Sequence, residues 1–377
     1  MRKASLIRLI VPTAIILCLA LSAGVMAQEA EWPGNRQSTF SVYDPATNTW
    51  QYAAYDGTGT LAGYDVNMDG LVTVDEGTGR VLGQIAAYDR DGDGVDEIYV
   101  FGGYPIWDRQ PRIYNPATNT WTVGAPAAFW QSWGAVANGP TVQVGHQVYQ
   151  YGAGYVPPGQ FGVYDIVNDE WTELAWGPDD ATGGAAAYFD GKIYIIGGEQ
   201  APMVSVYDIA SNTWSTNAPM MPLAIANAQA VTYNGKVYLF GGRNLDTNEI
   251  IGHILVFDPA AGTWTVFENV LPYEGVVGAA AVELDGYVYL IGGNAVIDGQ
   301  TQLVRKVFRA SMASVEGGAP AWVERLEDPA YFAYHDAPKS RMTTPHFPRA
   351  YAAAVAANGK IYVVGGNSVS QFGVPYE

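Results

Sequence analysis

The chain has 377 residues, with 44 glycines, 25 tyrosines and 11 tryptophans, and a formal net charge of −18 at pH 7. That surplus of acid repels phosphate backbones and anionic lipid, so charge disfavours nucleic acid and membrane surfaces as partners. An apolar share of 49% with only 15% charged residues is the profile of a strand-and-turn protein with a large core.

The N-terminus reads as an export signal. Arg2, Lys3 and Arg8 flank or precede an apolar stretch over residues 9–21, and Val25, Met26 and Ala27 follow as a cleavage site, with cutting expected after Ala27. Residues 1–27 are thus assigned as a signal peptide and residues 28–377 as the functional domain, secreted or held outside the cytoplasm, without membrane insertion after cleavage. Cys18, the one cysteine, lies inside the signal, so no disulfide is available and the core alone must hold the fold.

Beyond residue 38 two half-motifs recur. One is an apolar strand ending in a glycine pair: Ile98-Tyr99-Val100-Phe101-Gly102-Gly103, then residues 193–198, 237–242, 288–293 and 361–366, with a degenerate copy at 148–154. The other is an aromatic, a turn and a tryptophan: Tyr43 and Trp50, Tyr114 and Trp121, Tyr164 and Trp171, Tyr207 and Trp214, Phe257 and Trp264, and a stretched Phe308 and Trp322. Asp190-Gly191, Asn234-Gly235, Asp285-Gly286 and Asn358-Gly359 precede four of the glycine pairs. Asn-Gly and Asp-Gly supply the positive φ angles of a type I′ turn, so each marks a tight hairpin. The glycine pair ends the second strand where a side chain would crowd adjoining backbone. Each tryptophan is an apolar plug between neighbouring units.

Over about residues 38–366 this pattern resembles the kelch-repeat family, whose period is roughly 50 residues. The resemblance implies an all-β, six-bladed kelch-type β-propeller whose loops bind partners. The chain opens on an aromatic…tryptophan half and closes on a glycine-pair half. A blade stitched from residues 350–366 and 38–52 would therefore close the ring and remove its exposed edges. Residues 371–374 copy residues 160–163, which leaves an added strand open.

Two connectors are overlong, an insertion at 53–82 and a link at 325–349. In the first, Asp65, Asn67, Asp69, Leu71, Thr73 and Glu76 fit the twelve-residue calcium loop, with Gly70 at its bend. A second acidic run, Asp89, Asp91, Asp93, Val95 and Glu97, replaces one hairpin turn and resembles the short calcium loops of integrin-type propellers. Aspartates at alternate positions repel one another unless a cation compensates, and hard oxygen ligands suit Ca²⁺ in a structural role.

The connections after the second and fourth strands share one face and carry Trp107, Arg109, Trp133, Tyr155, Arg243, Tyr331, Tyr334 and His335. Aromatics among arginines suit a protein hot spot or carbohydrate stacking. The expected function is a monomeric, calcium-bearing module that binds an extracellular protein or glycan. The alternatives are a glycan-active enzyme of the sialic-acid mutarotase type and an adhesive part of a larger surface protein. His146, His253, His335 and His346 have no metal-ligand spacing, and no nucleophile elbow or phosphate loop is evident. The family's copper-radical oxidases need a cysteine, which excludes that chemistry.

Overall fold

A computed structural model describes residues 40–52, 83–103, 109–130, 138–152, 159–178, 180–198, 203–325 and 350–366. Residues 1–39 (which include the segment expected to be a signal), the insertion at 53–82 and most of the 325–349 link lie outside the described residues. All described strands belong to the unit Arg36–Glu377.

The described residues build six four-stranded antiparallel sheets. Sheet I contains Gln84–Tyr88, Glu97–Phe101, Arg112–Asn115 and Thr120–Val123. Sheet II contains Thr141–Val144, Gln147–Tyr151, Phe161–Asp165 and Glu170–Glu173. Sheet III contains Ala185–Phe189, Lys192–Ile196, Val204–Asp208 and Thr213–Ser215. Sheet IV contains Gln229–Tyr233, Lys236–Phe240, Ile254–Asp258 and Thr263–Phe267. Sheet V contains Ala280–Leu284, Tyr287–Ile291, Val307–Ser311 and Val323–Glu324. Sheet VI joins both ends of the chain: Phe40 pairs with Val364 and Tyr43 with Ile361, which sets Phe40–Asp44 and Thr49–Tyr52 beside the hairpin Ala353–Ala357 and Lys360–Val364.

The core lies between sheets, and the two-residue period of a strand decides which neighbour each side chain meets. Tyr99 and Phe101 of sheet I meet Val148 and Tyr164 of sheet II, whereas Ile98 and Val100 meet Tyr362 and Val364 of sheet VI. The same division links II with III, III with IV, IV with V, and V with VI. The second strand of every sheet is therefore buried on both faces, and in sheets I to V the fourth is exposed or half-buried throughout. The glycine pair behaves as its sequence implies. A Cβ on Gly241 would be driven into the Val276 carbonyl, and the Gly242 N–H donates to that carbonyl at 2.8 Å.

In four of the six sheets the tyrosine of the repeat fixes its own turn. Tyr43 Oη donates to Asn48 at 2.6 Å, Tyr114 to Asn119 at 2.9 Å, Tyr164 to Asp169 at 2.5 Å and Tyr207 to Asn212 at 2.8 Å. The acceptor always sits at positive φ, where Asn and Asp are tolerated. In sheet IV the aromatic is Phe257, which has no hydroxyl, and the partner position is Gly262. The tryptophans bond backwards. Indole N–H groups of Trp171, Trp214, Trp264 and Trp322 donate to carbonyls of Ala125, Ala175, Pro219 and Val270, each on the connection leaving the preceding sheet.

Three features depart from the repeat. A short helix, α1 (Met312–Glu316), capped by Ser311, fills the turn between the last strands of sheet V and accounts for the stretch from Phe308 to Trp322. Glu316 on it bonds Asn234 and Lys236 of sheet IV. A three-stranded sheet, Gly275–Val277, Asn294–Ile297 and Gln300–Leu303, continues the first hairpin of sheet V past its glycine pair. Ile225–Ala226 and Arg243–Asn244 do the same more briefly in sheet IV. Among the described residues no helix is long and apolar enough to cross a membrane.

The buried tyrosines make stability sensitive to alkali. Burial, with nearby acidic groups, pushes Tyr207 and Tyr238 up to about 12, and it raises Tyr99, Tyr164, Tyr149 and Tyr194 as well. A raised folded-state pKa means this stability is complete below the ordinary tyrosine value of about 10 and is lost as pH climbs from there toward 12. Absorbance at 295 nm followed with circular dichroism should show these phenols ionising only as the strands unfold. Full ionisation centred near pH 10 with the strand signal intact would contradict the burial.

Candidate functional site

The acidic run is the one sequence-predicted site whose geometry can be read in full. It replaces the two-residue turn between the first two strands of sheet I. Asp89 accepts N–H bonds from Gly92 at 2.7 Å, Asp93 at 3.1 Å and Gly94 at 2.9 Å. Asp91 accepts from Asp93 at 3.1 Å and Asp93 from Val95 at 2.8 Å. The run thus coils on itself, and one carboxylate oxygen from each of Asp89, Asp91 and Asp93 lies within 4.8 Å of the others. Asp89 is half-buried and the other two are exposed. Three negative groups so placed, with only oxygen donors, are chemically suited to a hard divalent cation.

Glu97 stands apart from that trio. It is 7% exposed, and its oxygens accept from the Arg90 N–H at 3.0 Å and the Asn115 side chain at 3.3 Å. It anchors the run to the sheet. Val95, half-buried, follows the three aspartates. A contact that sequence reasoning missed ties the run to sheet VI. The Asp96 N–H donates to Asn358 Oδ1 at 2.8 Å, and Asn358 Nδ2 donates to the Asp96 carbonyl at 3.0 Å. Asn358-Gly359 is visible in the sequence as a turn, but nothing local indicates that its amide reads backbone 262 residues away.

Of the residues expected on the loop face, Arg109 and Arg243 are described. The Arg109 carbonyl accepts the Ala127 N–H at 3.0 Å. Arg243 donates to Asn248 at 2.8 Å, within its own loop. Trp107, Trp133, Tyr155, Tyr331, Tyr334 and His335 lie outside the described residues, as do Asp65, Asn67, Asp69, Leu71, Thr73 and Glu76. His253 accepts the Asn269 N–H at 3.1 Å, and His146 lies 3.5 Å from Asp165. Burial alone would raise Asp165, but bonds from Asn168 and the charge of His146 hold its carboxyl below the usual range. Trp176 is 45% exposed, with its indole N–H held by Glu173 at 2.9 Å.

A family model described as the kelch motif matches residues 224–269 and 348–372. The first match runs through sheet IV and the second through the closing hairpin of sheet VI. Kelch motifs are present in this chain. Among curated proteins, Kelch-like protein terF of Aspergillus terreus is 28% identical over 257 residues, covering 62% of this chain and 54% of its own. Alpha-scruin of Limulus polyphemus is 28% identical over 225 residues, covering 53% and 24%. Kelch-like protein 23 of Mus musculus is 26% identical over 266 residues, covering 62% and 46%. The chain spans about half or less of the length of these kelch relatives.

The link from the kelch hairpin of sheet VI to sheet I can be tested by one substitution. Asn358→Gly keeps the left-handed turn conformation (φ 52°) and removes both bonds to Asp96. It should lower stability in urea by about 1–2 kcal/mol more than Asp190→Gly, a substitution at the equivalent left-handed turn position of sheet III. Equal losses in the two variants would show that the link contributes nothing.

Proposed function

We propose that this chain is an exported kelch propeller of six blades, closed by sheet VI, that works as a binding module for a protein partner. Its fourfold sheets, each packed on two others, support the closed ring. The observation that carries the binding reading is the contrast between the two ends of the sheets. At one end the hairpins of sheets II–VI turn in two residues, and in sheets I–IV and VI the third and fourth strands are joined by four-residue turns. At the other end the connections differ in length, with seven residues between Ile196 and Val204 and 13 between Phe240 and Ile254, and Arg109 and Arg243 lie on two of them. A rigid scaffold that presents variable loops on one face is the usual placement of recognition. Kelch resemblance points the same way, toward protein partners.

The binding face extends to the 325–349 link, through Tyr331, Tyr334 and His335. The full chain probed against protein arrays, with glycan arrays as the competing arm, tests the class of partner. Against a binder found this way, changing those three residues to alanine should reduce affinity tenfold or more and leave the melting temperature unchanged. A fall in melting temperature with affinity intact would make them packing residues and move the site elsewhere.

Calcium is proposed as a structural ion at Asp89, Asp91 and Asp93 and at the loop from Asp65 to Glu76. An ion held only by the native state adds about 2.7 kcal/mol at a hundredfold excess over Kd. Chelator should therefore lower the melting temperature, and Asp93→Ala should remove part of that response. No calcium by elemental analysis, with a melting temperature indifferent to chelator, would end this reading.

A further inference from the structure

Where the first strands of sheets II to VI begin, backbone hydrogen bonds run from sheet to sheet. The Gly183 N–H donates to the Asn138 carbonyl at 2.8 Å, Asn227 to Gly183 at 2.7 Å, Gly278 to Asn227 at 3.3 Å, and Tyr351 to Gly278 at 2.6 Å. These five residues hold the same place in sheets II to VI, two or three positions ahead of the first strand. All are left-handed, with φ of 61°, 73°, 58°, 64° and 59° in chain order. A left-handed residue breaks the extended run, so its peptide groups are free of the hairpin and turn toward the sheets on either side.

Side chains alternate with glycines along this belt. Asn138 Nδ2 donates to Asn227 Oδ1 at 2.9 Å across Gly183, where a Cβ would lie 2.8 Å from that oxygen and 3.2 Å from that nitrogen. The Tyr351 ring lies against Gly278, where a Cβ would come within 2.8 to 3.0 Å of three ring atoms. Tyr351 is 9% exposed and has Leu303 packed against it. Among the described residues it alone has positive φ without being Gly, Asn or Asp. Such a conformation persists only where the surroundings over-determine it, and it points to a role for the side chain.

We propose that the belt is a plug across the mouth of the central channel on the loop face, with Asn138, Asn227 and Tyr351 as its stopper. This rests on the closed-ring reading, since the channel exists only within a ring. The plug gives the binding face a floor of two carboxamides and one phenol ring, over backbone groups already bonded to one another. A partner is then held across the face by the surrounding loops, and its chemistry is that of an extended surface, not of a small substrate drawn down the axis.

Amide hydrogen exchange on the full chain reads the belt without substitution. The amides of Gly183, Asn227, Gly278 and Tyr351 should exchange at least a hundredfold more slowly than that of the exposed connection residue Met220. Exchange as fast as at Met220 overturns the proposal. A double-mutant cycle reads the stopper: the drop in melting temperature caused by Gly278→Ala should be at least halved in a Tyr351→Gly background, because the ring that the new Cβ meets has gone. An equal drop in both backgrounds overturns it. Tyr351→Asn, which suits a left-handed position, replaces Tyr351→Gly if that variant does not fold. A crystal structure with an open arc of sheets would remove channel and plug together while leaving both readouts as expected, whereas loss of protection in an intact ring removes the plug alone.

Discussion

Each four-stranded sheet in this chain is apolar on both faces, and that constraint sets everything else. A sheet with one solvated face can lie at a surface. A sheet whose second strand is buried on both sides, as Glu97–Phe101 is, must be covered twice. Covering every sheet twice with copies of itself forces face-to-face stacking in sequence order, and it makes strand alternation a rule about neighbours. The same constraint explains why the ends of the chain meet. Residues 353–364 are one hairpin, and a lone hairpin is marginal in water. Pairing with Phe40–Asp44 adds two strands, and loop-closure entropy grows only logarithmically with the length of chain between them.

The sequence disclosed what is encoded locally. Glycine pairs, Asn-Gly and Asp-Gly turns, and the aromatic…tryptophan spacing each reflect a backbone angle or a packing volume that a few residues dictate, so the strands of sheets I to IV and the composition of sheet VI could be read in advance. The clustering of Asp89, Asp91 and Asp93 was legible for the same reason. What escaped is relational. That Tyr207 bonds Asn212 is spelled in the chain, but its meaning emerges only beside Phe257 and Gly262, where hydroxyl and acceptor are lost together. The helix at Met312–Glu316 is a single turn, too short for any periodicity. Glu97 carries the side chain of a ligand, yet its place in a fully buried strand turns it toward Arg90 and Asn115. The belt through Asn138, Gly183, Asn227, Gly278 and Tyr351 joins residues 44 to 73 positions apart and mixes asparagine, glycine and tyrosine at one structural place, leaving no motif to find.

The two ends of the sheets have been given different work. At the turn end, polar side chains are consumed in holding turns: Asp44, Asn115, Asp165, Asp208 and Asp258 all accept backbone N–H bonds from residues two or three positions on. Such positions tolerate little change. At the loop end, the glycine pairs and the belt finish the contacts between sheets close to the strands, so the chain beyond them is free to vary in length and composition without disturbing the stack. This separation is what permits 13 residues between Phe240 and Ile254 but only seven between Ile196 and Val204 in successive sheets.

Sheet VI is the point where a stack made from one chain is weakest, because its two halves meet through strand pairing alone. The N-terminal half is continuous with sheet I through residues 53–82, and the C-terminal half is continuous with sheet V through residues 326–349. The ties outside the sheet run the other way. Arg325, at the exit of sheet V, donates to Tyr43 Oη at 3.1 Å and to the Pro45 carbonyl at 3.4 Å in the N-terminal half. Asn358, in the C-terminal half, holds Asp96 of sheet I through both ends of its amide. Each half is therefore bound to the sheet from which it is not continuous. To part the strands of sheet VI, the pairing of Phe40–Asp44 with Lys360–Val364 and both crossed ties must break together, along with the apolar contacts of Tyr43 and Tyr362 on opposite faces. Cooperative rupture of that kind raises the cost of local opening toward that of global unfolding. A chain whose single cysteine leaves no internal disulfide needs that protection most where its two ends are joined only by strand pairing, and the acidic run at Asp89–Glu97 is placed to reinforce it.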